Sequence, residues 1–141
     1  MFEKTALGLM PVWAATPPKV VRFSVHGEPK TKGRPRFSRT GRAYTPKETL
    51  EAEKVIREAF IAAAGDTTFT NNVGIECAFF VGTKRRKDID NMVKLVQDAL
   101  NGVGFGDDSQ INVEMAARFY STPGQARSVI TVFESIDVVE S

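Results

Sequence analysis

Four stretches of the chain alternate apolar and polar residues, and two others repeat at helical spacing. Val21, Phe23 and Val25 share one phase of Val20–Val25, which predicts a strand ending at His26-Gly27. Val73, Ile75, Cys77, Phe79 and Val81 predict a second strand, and Ile111, Val113, Met115, Ala117 and Phe119 a third, each with these residues on one face. Thr122-Pro-Gly-Gln125 turns the chain, and Ser128–Phe133 returns as a fourth strand. Between them, Ala52, Val55, Ile56, Ala59, Phe60 and Ala63 mark one helix. Thr45-Pro-Lys-Glu48 reads as its capping box and Gly65 as its stop. A second apolar stripe, Met92, Val93, Val96, Ala99, Leu100 and Val103, follows Asp90 as the expected cap and ends at Gly102 and Gly104.

The order is therefore β, a basic segment, α, β, α, β, β, without internal repeats. This predicts an α/β (α+β) chain with a mixed β-sheet and two helices packed against it; the pattern leaves the sheet order open. A length of 141 residues suits one small domain. We assign it to residues 19–141, preceded by an extended or flexible arm over residues 1–18. That arm superficially resembles a signal peptide, but Glu3 occupies the basic region and Pro11 breaks the apolar run. Its Trp13 suits either a loose tail or a docking point on a partner subunit. No stretch is long enough to cross a membrane, so no membrane partner is expected.

Charge changes the picture through its distribution. The formal net charge is only +2, yet cations concentrate in residues 30–47 and 84–87. Lys30, Lys32, Arg34 and Arg36 recur at every second position, where Pro29 and Pro35 disfavour helix, so an extended chain projects all four to one side. Arg39 and Arg42 continue the run around a tight turn at Thr40-Gly41, flanked by Phe37 and Tyr44. Basic, proline-stiffened chain with aromatics suits phosphate contact plus stacking on DNA bases; the alternative is a solvated charged loop. Lys84, Arg85, Arg86 and Lys87 form a second basic cluster. One cysteine, Cys77, and one histidine, His26, exclude an intrachain disulfide and Cys/His-rich zinc chemistry, and they fit a reducing, cytoplasmic setting. Cys77 reads as a buried apolar residue, and His26 as a structural residue at a strand end.

The candidate chemistry lies directly after the second basic cluster. Asp88 and Asp90 are spaced i, i+2, Lys94 follows Asp90 by one helical turn, and Asp107-Asp108 arrives after a Gly-rich connection. Converging carboxylates are the protein's usual share of a magnesium site. On pattern alone, two readings of these aspartates stand: metal ligands, or a helix cap with a turn.

Asp88-Ile-Asp-Asn-Met-Val-Lys94, Asp98-Ala-Leu-Asn101 and Gly104-Phe-Gly-Asp-Asp-Ser-Gln110 resemble, in order, the motifs of the RusA family of Holliday junction resolvases. Gly27-Glu-Pro-Lys-Thr-Lys-Gly-Arg-Pro-Arg36 resembles the basic motif of the family's phage and prophage members, and the likeness covers residues 20–135. The resemblance implies a small homodimer that cuts four-way DNA junctions by paired symmetric nicks with Mg2+ or Mn2+. It implies that Asp88, Asp90 and Asp108 are metal-binding and catalytic, with Asp107 beside them as a further metal ligand, and that Lys94 is the essential lysine. It leaves two alternatives: a nuclease acting on forks or flaps, and a junction-binding module without catalysis.

Overall fold

The computed structural model describes residues 2–5, 8–11, 19–85 and 87–135. Along these residues the strands are β1 (Phe2–Thr5), β2 (Gly8–Pro11), β3 (Val20–His26), β4 (Arg36–Phe37), β5 (Ala43–Tyr44), β6 (Val73–Val81), β7 (Ile111–Tyr120) and β8 (Arg127–Glu134). Two helices, α1 (Lys47–Ala64) and α2 (Ile89–Leu100), complete the set with two short 3-10 turns. Strands β3, β8, β6 and β7 form one mixed sheet in that order, with β6 parallel to β7 and antiparallel to β8. The result is a small α+β domain built on one four-stranded mixed sheet and two helices. Within the amino-terminal arm, β1 and β2 pair antiparallel with each other; Trp13 lies outside the described residues.

The core sits between one face of this sheet and the helices. Val21 and Phe23 of β3, Ile75, Cys77 and Phe79 of β6, and Ile130 and Val132 of β8 meet Ile56 and Phe60 of α1 and Met92, Leu95, Val96 and Ala99 of α2. Phe23 and Phe60 meet edge to face with ring centroids 5.9 Å apart. Cys77 is buried there, and that burial pushes its thiol pKa up to about 12. The parallel β6–α2–β7 unit fixes the site: α2 runs back over the sheet, so its first turn lies near the end of β6 and its last near the beginning.

Three local expectations change. Helix α1 is not capped by Thr45: extended Pro46 takes the cap position, no side chain caps the helix, and its carbonyl accepts from Thr49 and Leu50 at 3.1 and 3.2 Å. The Thr49 hydroxyl instead accepts from the Gly33 N–H at 3.2 Å, which ties the basic segment to α1. Helix α2 starts two residues before Asn91, and its cap is Asp88 rather than Asp90.

The third change concerns β7. A register shift between Val73 and Gly74 places Ile111 opposite Val73 but Val113 opposite Gly74. Ile111 therefore packs against the core, whereas Val113, Met115, Ala117 and Phe119 share the sheet's outer face with Gly74, Glu76, Ala78 and Phe80. Glu114, Ala116 and Arg118 take the helix side. On the outer face Phe80 stacks on Phe119 at 5.3 Å, and Arg127 lies 4.0 Å over the Phe80 ring. Gly74 is required there, because a Cβ would fall 2.1 Å from the Phe133 ring.

Candidate active site

The segment leaving β6 is held before it reaches its carboxylates. The Gly82 N–H donates to Glu28 Oε2 at 3.0 Å, and Lys87 Nζ donates to Glu28 Oε1 at 3.1 Å and to the Pro29 carbonyl at 2.7 Å. Burial alone raises the Glu28 pKa, but the Gly82 and Lys87 hydrogen bonds and the charges of Lys87 and Lys30 outweigh it and leave it lowered. From the other side the Arg118 guanidinium donates to the Lys87 carbonyl. The chain is thereby pinned from both sheet edges just ahead of Asp88.

Asp88 then folds its carboxylate onto the helix, with Oδ1 accepting from the Asp90 N–H at 2.9 Å. Both aspartates are exposed at the amino-terminal end of α2, where the helix dipole favours negative charge. With Lys87, Ile89 and Arg118 they line an open cleft of about 560 Å³. Lys94 stands one turn further along the helix, exposed, with Nζ 3.7 Å from Asp98 Oδ1. This cleft combines two carboxylates with an arginine and a lysine, a set that can bind a hard cation and a phosphate together.

Asp98 also joins the site to the basic segment. Its Oδ2 is 2.9 Å from Lys32 Nζ, which in turn lies 2.6 Å from Glu53 Oε1 on α1. Burial lowers the Lys32 pKa, and the hydrogen bonds and charges of Glu53 and Asp98 more than reverse this, so it is raised. The Lys32 N–H also donates to the Asn91 carbonyl at 3.0 Å. Lys32 is thus a half-buried clamp between the helices, unlike its neighbours in the alternating run. Lys87 is similarly occupied by Glu28 and Pro29.

The remaining cations of the two runs reach solvent. Lys30, Arg34, Arg36, Arg39, Arg42, Lys84 and Arg85 are exposed, while Arg86 lies outside the described residues. Strands β4 and β5 form the expected ribbon, with the Gly41 N–H closing the turn onto the Ser38 carbonyl at 2.9 Å. Phe37 and Tyr44 are 71% and 49% exposed, but Tyr44 pairs with Arg36 and Phe37 with Ala43, so the two rings leave opposite faces of the ribbon.

The Gly-rich return does not bring Asp108 to Asp88 and Asp90 within one chain. Asp107 and Asp108 lie beyond the far end of α2, whose twelve residues span about 18 Å, and just before Ile111 at the beginning of β7. The Gln110 amide fastens them there: Oε1 accepts from the Gly106 and Asp107 N–H groups at 2.7 and 3.1 Å, and Nε2 donates to the Phe69 and Asn71 carbonyls at 3.2 and 2.9 Å. Among the described residues, no three His, Cys, Asp or Glu side chains converge on one metal-sized point.

Glu28 and Arg118 are the site residues that sequence reasoning missed. Glu28 stood inside a quoted basic motif without a role of its own. Arg118 occupies the polar phase of β7, which would have marked it for the helix side had the register shift been legible.

A family model described as endodeoxyribonuclease RusA matches residues 26–132. The chain is also 28% identical over 125 aligned residues to the uncharacterized protein YqaN of Bacillus subtilis (strain 168), an alignment covering 72% of this chain and 88% of that protein.

Proposed function

Because this chain belongs to the RusA family of endodeoxyribonucleases, we propose that it is a metal-dependent nuclease that resolves four-way DNA junctions by hydrolysing one phosphodiester in each of two equivalent strands. The observation that carries this reading is the pair Asp88 and Asp90 exposed at one helix terminus, in a cleft shared with Arg118. Junction binding alone gains nothing from two carboxylates set beside a phosphate.

The donor set fits magnesium, with manganese as a substitute. Two carboxylates in an open, water-accessible cleft match a cation that completes its shell with water and substrate phosphate. Asp88 and Asp90 would hold it, with Asp107 and Asp108 as further ligands only if supplied from elsewhere. When bound, such a cation lowers the pKa of coordinated water and polarises the phosphoryl group.

The chain's own residues do the rest. Arg118 lines the cleft, and its guanidinium offers N–H groups beyond the one given to Lys87, so it can grip a non-bridging phosphate oxygen. Lys94 stabilises charge developing on the phosphoryl oxygens during attack by turning back towards Asp90 from Asp98, which lies 3.7 Å away one turn further along the helix. Lys30, Arg34, Arg36, Arg39, Arg42, Lys84 and Arg85 hold the flanking backbone, with Arg86 in the same cluster. Phe37 and Tyr44 stack on bases at an opened crossover.

A two-fold homodimer matches the two-fold substrate and makes both cuts before release. The setting is the cytoplasm, in recombination, repair or phage DNA processing; among the described residues no helix is long and apolar enough to cross a membrane. Incubation with an end-labelled junction, a fork, a flap and linear duplex in Mg2+ tests the reading. Paired, symmetric nicks confined to the junction support resolution, cleavage of forks or flaps alone transfers the activity to those substrates, and tight junction binding without any cleavage refutes catalysis.

A further inference from the structure

Lys87 immediately precedes Asp88 and lines the same cleft as Asp88 and Asp90. Its ammonium, on a flexible stem, is the cation nearest in sequence to the carboxylates that the nuclease reading gives to a metal. Left to itself, an ammonium beside two exposed carboxylates pairs with them and occupies oxygens that a hard cation needs. A second set of acceptors draws it away.

Those acceptors are held in place by the fold. Gly27, directly after β3, has a φ of 106°, which favours glycine, and its N–H donates to the Ala126 carbonyl at 3.0 Å. The turn brings Glu28 against the residue that follows β6. A Cβ on Gly82 would lie 3.3 Å from Glu28 Oε2 and 2.6 Å from Pro123 Cα, so the carboxylate is seated against a position that has no room for a side chain. The Gly82 N–H fixes Oε2 and leaves Oε1 for the Lys87 ammonium at 3.1 Å, with the Pro29 carbonyl as its second acceptor at 2.7 Å. The Lys87 and Glu28 side chains are only 19% and 27% exposed, whereas Lys84 and Arg85 of the same basic cluster stay in solvent. Arg118 holds the Lys87 carbonyl separately, so the backbone before Asp88 keeps an anchor even when the ammonium is released.

We infer that Glu28 is a positioning residue of the reacting site: it sequesters the Lys87 ammonium and so keeps Asp88 and Asp90 open to a divalent cation. The inference deepens the nuclease reading and rests on it for the role of the cation. Glu28 touches neither metal nor substrate and acts through Lys87.

Calorimetric titration of the whole chain with Mn2+, without DNA, tests it. Glu28→Gln frees the ammonium and weakens Mn2+ binding about fivefold, the size of a partly exposed ion pair. Adding Lys87→Met removes the competitor and returns the affinity to within about twofold of wild type, although both members of the pair are then gone. Cleavage follows the same course: Glu28→Gln needs more Mg2+ for its half-maximal rate, and saturating Mg2+ restores kcat. A Glu28→Gln variant with wild-type affinity, or a double variant as weak as the single one, overturns the inference and leaves Glu28 as a fastener of the loop. A second measurement needs no variant at Glu28. In lysine 15Nζ spectra of the wild type, the Lys87 signal, assigned by its loss in Lys87→Met, is that of a restrained ammonium and stays so when Mg2+ is added. A signal that passes to that of a freely rotating lysine on adding Mg2+ places the ammonium on the carboxylates beforehand, and the inference fails. The two readings fail separately. A wild type that shows these titrations but cuts no DNA loses the nuclease reading alone, and one that cuts DNA while Glu28→Gln binds Mn2+ normally loses only the inference.

Discussion

Replacing Lys32 with methionine separates a structural lysine from a DNA-binding one. The substitution keeps the aliphatic stem but removes an ammonium that lies 2.6 Å from Glu53 and 2.9 Å from Asp98. The buried Glu53 then faces the gap without a counter-charge, while Asp98 keeps only the exposed Lys94, 3.7 Å away. Breaking a buried ion pair from one side costs about 3–5 kcal/mol; a quarter-exposed Lys32 brings the expected loss to about 2–3 kcal/mol. For a domain of this size that corresponds to a fall of about 8 °C in Tm. Because the folded-state pKa of Lys32 is raised, its stabilisation is fully present below the unfolded value of 10.5 and is lost as pH rises through the folded value. The deficit of the variant is therefore constant from neutral to mildly alkaline pH and shrinks only above about 10.5. Adding Glu53→Gln to the variant recovers part of the loss by removing one stranded charge. The salt dependence of duplex binding is unchanged in the folded variant, whereas Lys30→Met or Arg34→Met flattens the log–log slope by about 0.9 per lost phosphate contact. A Lys32→Met protein with unaltered Tm and a flattened slope refutes this reasoning and makes Lys32 a phosphate contact.

Other outcomes follow from the same structure. Asp88→Asn keeps an oxygen for the Asp90 N–H and so keeps the helix cap, whereas Asp88→Ala loses it at a cost of about 1 kcal/mol in urea unfolding; both lose cleavage, so the difference between them isolates the cap. Glu28 has a lowered pKa, so its contribution is present above the unfolded value of 4.5 and disappears as pH falls through the folded value. Urea midpoints of wild type and Glu28→Gln should therefore differ at pH 7 and draw together as pH falls below 4.5. Alanine at both Phe37 and Tyr44 weakens junction binding by about 1–3 kcal/mol per stacked base without lowering Tm, measured by fluorescence anisotropy and calorimetry. Unchanged affinity removes their stacking role.

Much of this was legible in the sequence where one period governed a whole element. The alternation of β6 and most of the stripes of α1 and α2 located the core because each buries a single face, although Val55 and Ala63 of α1 and Val103 after α2 stay exposed. What the pattern could not carry was any feature set by one residue of register. Asn112 falls at the shift in β7, and with it the apolar phase changes from core face to outer face. The same limit hid Arg118, whose polar phase belongs to the helix side. The aspartates were recognisable as a group, but a motif is a line of residues: it does not show that α2 separates Asp88 from Asp108 by its own length. Nor does an alternating run of cations show that Lys32 turns inward to Glu53 and Asp98 while Lys30 and Arg34 stay in solvent. The cap moved from Asp90 to Asp88 for a local reason, since either carboxylate suits a helix amino terminus.

The most direct measurement is strand-specific cleavage of an end-labelled four-way junction by wild type and Asp90→Asn, with junction binding recorded in parallel. The account expects symmetric nicks that need Mg2+ or Mn2+, vanish with EDTA, and are lost in the variant while its binding persists. Cleavage that survives in Asp90→Asn, or in EDTA, would contradict it.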